Sequence, residues 1–292
     1  MNERVKNLIL TRLKLRQARE REQRQLIPDV DIHHQEMCRK LAGLWESTQY
    51  ENLLRCGEEP IYITCKSCGL LEKHYYRCNL KFCPRCQWRI AKSREEKIRV
   101  WAAHITQPKH LVLTQKNFPI LTRKKLKEHL ANVRKFRRSK VFRSVKGGCL
   151  SVEITNEGRG WHLHSHWLLD VRWLDIAEVA RVWGEIVGQS YGVVKIKDVR
   201  NGEYLQELLK YVAKGSDLVK WSDEQLLEFV TAIKGNRFFF CFGSLFKMGD
   251  EIRQQLKFMR REKKACECGA CDWQFETERQ TILNEIRKAR RK

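Results

Sequence analysis

Three histidines alternate along Trp161-His162-Leu163-His164-Ser165-His166-Trp167. In an extended strand alternate side chains share a face, so His162, His164 and His166 line one side and Trp161, Leu163, Ser165 and Trp167 the other. Imidazole suits several divalent metals. Two such ligands two residues apart can hold a cation and leave coordination positions open for a substrate. A histidine-rich surface strand without a metal would show the same pattern, but clustered histidine is a metal-binding composition. Glu153, in Ser151-Val152-Glu153-Ile154-Thr155, precedes a turn and can face the histidines from the neighbouring strand. Metals that serve phosphate chemistry accept carboxylate oxygen. The competing role for Glu153 is an ordinary cross-strand charge partner.

A second chemistry lies in the cysteines. Cys65-Lys66-Ser67-Cys68 and Cys83-Pro84-Arg85-Cys86 are two CxxC corners. Zinc takes four tetrahedral sulfur or nitrogen ligands, and two such corners close a site with little strain. A structural Zn2+ on Cys65, Cys68, Cys83 and Cys86 is therefore expected, with Cys56, Cys78 and His74 as competing ligands. A redox CxxC is disfavoured because two pairs occur together. Cys266, Cys268 and Cys271 offer three more thiols with no obvious fourth ligand nearby.

The composition narrows the partners. Lys and Arg total 58 against 35 acidic residues, a formal charge of +23 over 292 residues. Such an excess points to a polyanion, most often nucleic acid. Lys81, Arg85, Trp88, Arg89, Lys92 and Arg94, beside the second CxxC, interleave basic and aromatic residues as a DNA-contacting unit does. No run of eighteen apolar residues exists, which argues against a membrane span. No secretory signal is visible, so a cytoplasmic protein is expected. Twelve cysteines in a reducing compartment then read as metal ligands or thiols rather than disulfides.

These residues need elements to position them. Apolar periodicity predicts helices over Met1–Gln25, Asp29–Leu54, Gln87–His104, Leu121–Phe142, Leu174–Val187, Gly202–Lys214 and Asp223–Ile233. It predicts strands over His110–Thr114, Cys149–Thr155, Trp161–Val171, Val193–Val199 and Arg237–Phe242. Asn156-Glu157-Gly158-Arg159-Gly160 reads as a hairpin loop. Without a regular βαβ period, the pattern favours an α+β layer, a central antiparallel sheet flanked by helices. On the helix over Gly202–Lys214, Leu205, Leu208, Leu209 and Val212 form the buried stripe. Tyr211 falls beside it, Tyr204 lies about two turns earlier, and Lys214 is one turn beyond Tyr211.

Taken in order, Leu111-Val112-Leu113-Thr114, then Trp161 to Leu168 with its three histidines, then Tyr211-Val212-Ala213-Lys214 resembles the three motifs of the HUH endonucleases. The CxxC segment through Cys83-Pro84-Arg85-Cys86-Gln87-Trp88-Arg89 is similar to the zinc segment of rolling-circle plasmid replication initiators. Asn236-Arg237-Phe238 through Lys247 resembles the glycine-rich strand that closes the initiator domain. The resemblance spans roughly Cys65 to Lys247.

The resemblance implies an HUH fold and nicking of single-stranded DNA at a replication origin. It implies His164 and His166, with Glu153, as ligands of a catalytic Mg2+ or Mn2+, and His162 as a third ligand or DNA contact. Tyr211 would be the single nucleophile, forming a 5′-phosphotyrosine, with Lys214 favouring the phenolate; Tyr204 would be packing. The expected organisation is a basic helical region at 1–55, a zinc segment and basic helix at 56–104, the nickase domain at 105–250, and a basic tail with a candidate second cysteine metal site at 251–292. Single-stranded or origin hairpin DNA is the expected partner. No phosphate-binding loop ending in Lys-Ser/Thr is present, so a host helicase would separate the strands. The same chemistry serves transposases and recombinases of mobile elements, and a zinc-finger DNA-binding protein without catalysis is the alternative from another class.

Overall fold

The computed structural model of the chain describes residues 30–102, 105, 107–199, 215–254, 268–269 and 272–275. The expected helices over Met1–Gln25 and Gly202–Lys214, with Tyr204, Tyr211 and Lys214, lie outside the described residues, as do Cys266 and Cys271.

The stretch expected as one helix to Leu54 is two, α1 (Val30–Leu41) and α2 (Thr48–Arg55). Gly43 turns the chain in the left-handed region at φ 73°, and Ser47 restarts the helix by accepting from the Tyr50 amide. A three-stranded sheet follows that the periodicity did not announce. Strand β1 (Pro60–Cys65) lies between β2 (Leu71–Tyr75) and β8 (Trp273–Phe275), both antiparallel to it. Its residues are mostly half-buried on both faces, so no alternation marks it in the sequence.

The larger sheet is the scaffold of the site. Its strands are β3 (Pro108–Thr114), β4 (Gly147–Asn156), β5 (Trp161–Asp170), β6 (Val193–Asp198) and β7 (Phe239–Phe242). They run in the order β6-β3-β5-β4-β7, every neighbouring pair antiparallel, as the α+β reading expected. The histidine strand β5 is therefore central. The helices are α3 (Pro84–Ala102), α4 (Arg123–Arg137), α5 (Ile176–Val187), the short α6 (Gly215–Leu218), α7 (Asp223–Ile233) and α8 (Gly243–Lys247). Asp175 caps α5 by accepting from Ala177 and Glu178, and Ser222 and Gln225 form a capping box on α7. The β4–β5 hairpin closes through Gly160 at φ 89°, where a Cβ would sit 2.7 Å from the Phe118 carbonyl.

The two faces of this sheet differ. Trp161, Leu163, Trp167 and Leu169 of β5, with Leu111, Leu113, Leu150, Val152 and Ile154, join the main core with Phe136, Trp183 and Phe229 from the helices. Each Leu or Phe buried there contributes roughly 1.5–3 kcal/mol. Ser165 also points into this core, where its hydroxyl accepts from the Trp167 indole at 3.0 Å. On the opposite face Leu168 and Cys149 pack with Ile98, Trp101, Leu245 and Ile252. The histidines occupy the rest of that second face.

Candidate active face and cysteine centres

Register assembles the histidine site. His164 is opposite Glu153 on β4 and Thr114 on β3; His166 is opposite Ser151 and Val112. Directly paired residues project on the same side, so these groups share a face. His166 Nε2 lies 3.1 Å from Glu153 Oε2, both side chains almost fully buried. Nδ1 of His166 is buried with no hydrogen-bond partner among the described residues. The His110 ring stacks on His166 at 5.7 Å. His164 Nδ1 is 3.2 Å from Thr114 Oγ1, its ring 6.0 Å from that of His166 and 4.0 Å from that of His162. Burial holds the His162 pKa below its ordinary value, with Glu157 and Glu153 opposing.

The end of β3 that supports His164 is pinned from the core side. The Trp183 indole donates to the Thr114 carbonyl at 2.7 Å. The next residue, Gln115, bonds through Oε1 to His129 Nδ1 at 3.0 Å, and His129 packs edge-on to Trp183. His129 is fully buried, and that burial, with His164 adding to it, pushes its pKa down to about 3. A neutral imidazole is thus built in behind the site. Sequence reading singled out neither His129 nor Trp183, because their link to β3 is purely tertiary.

The expected zinc quartet is regrouped. Cys83 and Cys86, at the start of α3, meet Cys56 and Cys78 rather than Cys65 and Cys68. The sulfurs lie 3.5 Å apart for Cys56–Cys86, 3.7 Å for Cys78–Cys86 and 3.7 Å for Cys83–Cys56. Four sulfurs around a tetrahedral zinc at about 2.3 Å stand about 3.8 Å from one another, so this group fits the ion. Contact with Cys78 holds the Cys56 thiol well below its ordinary pKa, and contact with Cys56 pushes Cys83 well above. Cys65 and Cys68 instead gather with Cys268. The physical reason is the β1–β2 hairpin, which carries the first CxxC to its tip while Cys56 and Cys78 stay at its base. His74, weighed as a ligand, bonds Glu72 at 2.9 Å. Among the described residues these two cysteine groups are the sets of three or more potential ligands whose donor atoms lie within 4.8 Å of one another; His164, His166 and Glu153 stand further apart.

A cationic groove runs between α3 and β7. Lys81, Arg89, Lys92, Arg94, Lys97 and Arg237 line it with Glu96, Phe238 and Phe239; Phe238 is buried in the main core, and Phe239 lies on the second face of the sheet. The Arg94 guanidinium lies 5.1 Å over the Phe239 ring, and the Lys81 ammonium 5.2 Å over Phe238. Burial, then Arg94 and Arg237, lowers the Lys81 pKa. Phe239 pairs with Ser151, which pairs with His166, so groove and histidines share one row across three strands, about 10 Å wide. Arg85, expected among the DNA-facing cations, is instead withdrawn into ion pairs with Asp31 at 2.7 Å and Glu58 at 2.6 Å. No helix among the described residues is long and apolar enough to cross a membrane.

The model of the replication protein family matches residues 71–280, most of the chain and all of the five-stranded sheet. The chain belongs to the replication protein family. The chain is also similar to Protein rep of Streptococcus pneumoniae serotype 2 (strain D39 / NCTC 7466), 29% identical over 199 residues. That match takes in 59% of this chain and 61% of the relative, so the chain spans about three fifths of the curated relative it matches. No solved structure matches the chain. The family span includes the histidine strand, the groove and the second CxxC, and starts after Cys65 and Cys68.

Proposed function

We propose that this member of the replication protein family is a rolling-circle plasmid replication initiator of the HUH type, which nicks single-stranded origin DNA. The observation that carries the reading is that His164, His166 and Glu153 share one sheet face with a cationic groove that reaches them through Phe239. A single strand suits such a groove, whose cations would follow the phosphates. The scissile linkage then lies where the groove meets the histidines.

The donor set fits a divalent cation. His166 has a buried ring nitrogen without a partner and a carboxylate at its other nitrogen. A Mg2+ or Mn2+ held by His164, His166 and Glu153 would supply positive charge at a nonbridging phosphate oxygen. His164, held through Nδ1 by Thr114, would present Nε2 to the cation. Tyr211 is the proposed nucleophile. Its phenol oxygen attacks phosphorus in line; the new O–P bond forms as the bond to the 3′ oxygen breaks, and that oxygen leaves as the 3′ hydroxyl. The 5′ phosphate stays on tyrosine, so a later 3′ hydroxyl can reverse the step and rejoin the strand. A free phenol has a pKa of about 10, and the charge of Lys214, three positions on in the sequence, would favour the phenolate. The nicking unit is proposed to span 105–250, with the zinc segment 56–104 before it and the basic stretches 1–55 and 251–292 flanking. A structural zinc on Cys56, Cys78, Cys83 and Cys86 anchors α3, which forms one wall of the groove. A host helicase is the proposed partner for strand opening.

The test is a covalent adduct. Incubation with origin single strands and Mn2+ should yield a peptide carrying a 5′-nucleotide phosphate on Tyr211 by mass spectrometry, absent in Tyr211→Phe. Cleavage by Tyr211→Phe at the wild-type rate, or an adduct on another residue, overturns the assignment.

A further inference from the structure

We infer that Cys65, Cys68 and Cys268 form a second, separate thiolate zinc site that clamps the C-terminal β-strand onto the N-terminal hairpin. Cys65 ends β1, and the chain turns back through Cys68 to β2. The turn is a tight knuckle: the Gly69 amide donates to the Cys65 carbonyl at 2.8 Å, the Cys65 amide to the Leu70 carbonyl at 2.9 Å, and Gly69 takes φ 69°. Strand β8 docks beside this knuckle, Cys65 pairing with Trp273 and the Lys66 amide donating to the Asp272 carbonyl at 2.8 Å. Antiparallel pairing therefore delivers residues just before β8 to the tip of the hairpin. Cys268 arrives there with its sulfur 3.7 Å from that of Cys65, the separation of two thiolates on one tetrahedral zinc. All three sulfurs lie within 4.8 Å of one another.

These three thiols fill three of the four positions a tetrahedral zinc takes. In the sequence Cys268-Gly269-Ala270-Cys271 has the same CxxC spacing as Cys65-Lys66-Ser67-Cys68. The thiol that meets Cys65 thus comes from 203 positions away along the chain. The two centres differ in exposure. Cys56, Cys83 and Cys86 are buried, whereas Cys68 and Cys268 face solvent. The second centre should therefore give up its metal first. Because the thiols meet only where β8 pairs with β1, the metal binds the folded chain alone and its binding energy stabilises that pairing. This inference is independent of the nicking chemistry.

Metal analysis of the full chain tests it. Zinc by plasma mass spectrometry should reach two ions per wild-type chain, halved in Cys268→Ser, in Cys65→Ser and in Cys83→Ser. A chromophoric chelator should withdraw zinc from wild type in two phases; Cys268→Ser should lose the fast phase and Cys83→Ser the slow one. Retention of the slow phase shows that Cys268→Ser is folded. Two ions in Cys268→Ser, or one in wild type with the fast phase missing, overturns the site. So does a Cys65–Cys268 disulfide, two mass units lighter, in protein purified under reducing conditions. Tyr211→Phe should leave the zinc content unchanged whatever its effect on nicking.

Discussion

His129 makes the fold acid-sensitive through one group whose contribution can be isolated. Its imidazole is fully buried, with a pKa near 3 in the fold against about 6.5 in the unfolded chain. Above pH 6.5 both states are neutral and nothing is lost. As pH falls below 6.5 the unfolded chain takes up a proton that the folded chain refuses, so stability drops until the folded pKa near 3 is reached. Between pH 7 and pH 5 the unfolded group gains protonation equivalent to about 1.4 pKa units, or about 2 kcal/mol. His129→Phe keeps a flat ring against Trp183 and leaves half-exposed Gln115 open to water. It should cost stability at pH 7 yet lose about 2 kcal/mol less than wild type on going to pH 5. Reversible urea unfolding followed by tryptophan fluorescence at both pH values gives this double difference, in which the other histidines and the zinc thiols cancel. Equal losses in the two proteins, within about 0.5 kcal/mol, would refute the claim that burial keeps this imidazole neutral.

Three further outcomes bear on the site and its groove. Glu153→Gln should raise the Mn2+ concentration for half-maximal nicking about tenfold or more, because the carboxylate at His166 is lost. His162→Ala should change it little, and a larger effect from His162→Ala than from His166→Ala would move the ligand pair to His162 and His164. Arg237→Ala should weaken single-strand binding uniformly across sequences and lower the slope of log affinity against log salt by about 0.7. An unchanged slope would remove the groove from the DNA path.

How much of this was readable beforehand varied with the range of the interactions. The five strands of the large sheet announce themselves locally: an apolar run at His110–Thr114, alternation at Val193–Val199, aromatic residues at Arg237–Phe242, and turn residues between Cys149–Thr155 and Trp161–Val171. Asp223–Ile233 matches the expected helix residue for residue, since its capping box and apolar stripe are local. The stretch before Leu54 reads as continuous because its periodicity survives the break at Gly43. Strands β1 and β2 escape because they are half-buried without alternation, and β8 because it has three residues, two of them exposed. The basic stretch after Cys83 was read as DNA-facing, yet Arg85 turned inward, since nothing local marks Asp31 and Glu58 as its partners.

The chemical inventory belongs to the sequence alone: a histidine strand, a carboxylate within reach, an excess of cations and enough thiols for zinc. Side-chain alternation put His162, His164 and His166 on one face, because that follows from backbone geometry within a single strand. Which cysteines meet was decided only in three dimensions. A CxxC fixes two ligands, and the other two come from wherever sheet pairing carries them: Cys56 and Cys78 at the base of a hairpin, Cys268 from the far end of the chain. The groove likewise exists only because β7 pairs with β4, which brings Arg237 and Phe239 alongside α3 and Phe239 into one row with His166. Cross-strand register joins residues distant in sequence, and no local pattern encodes it.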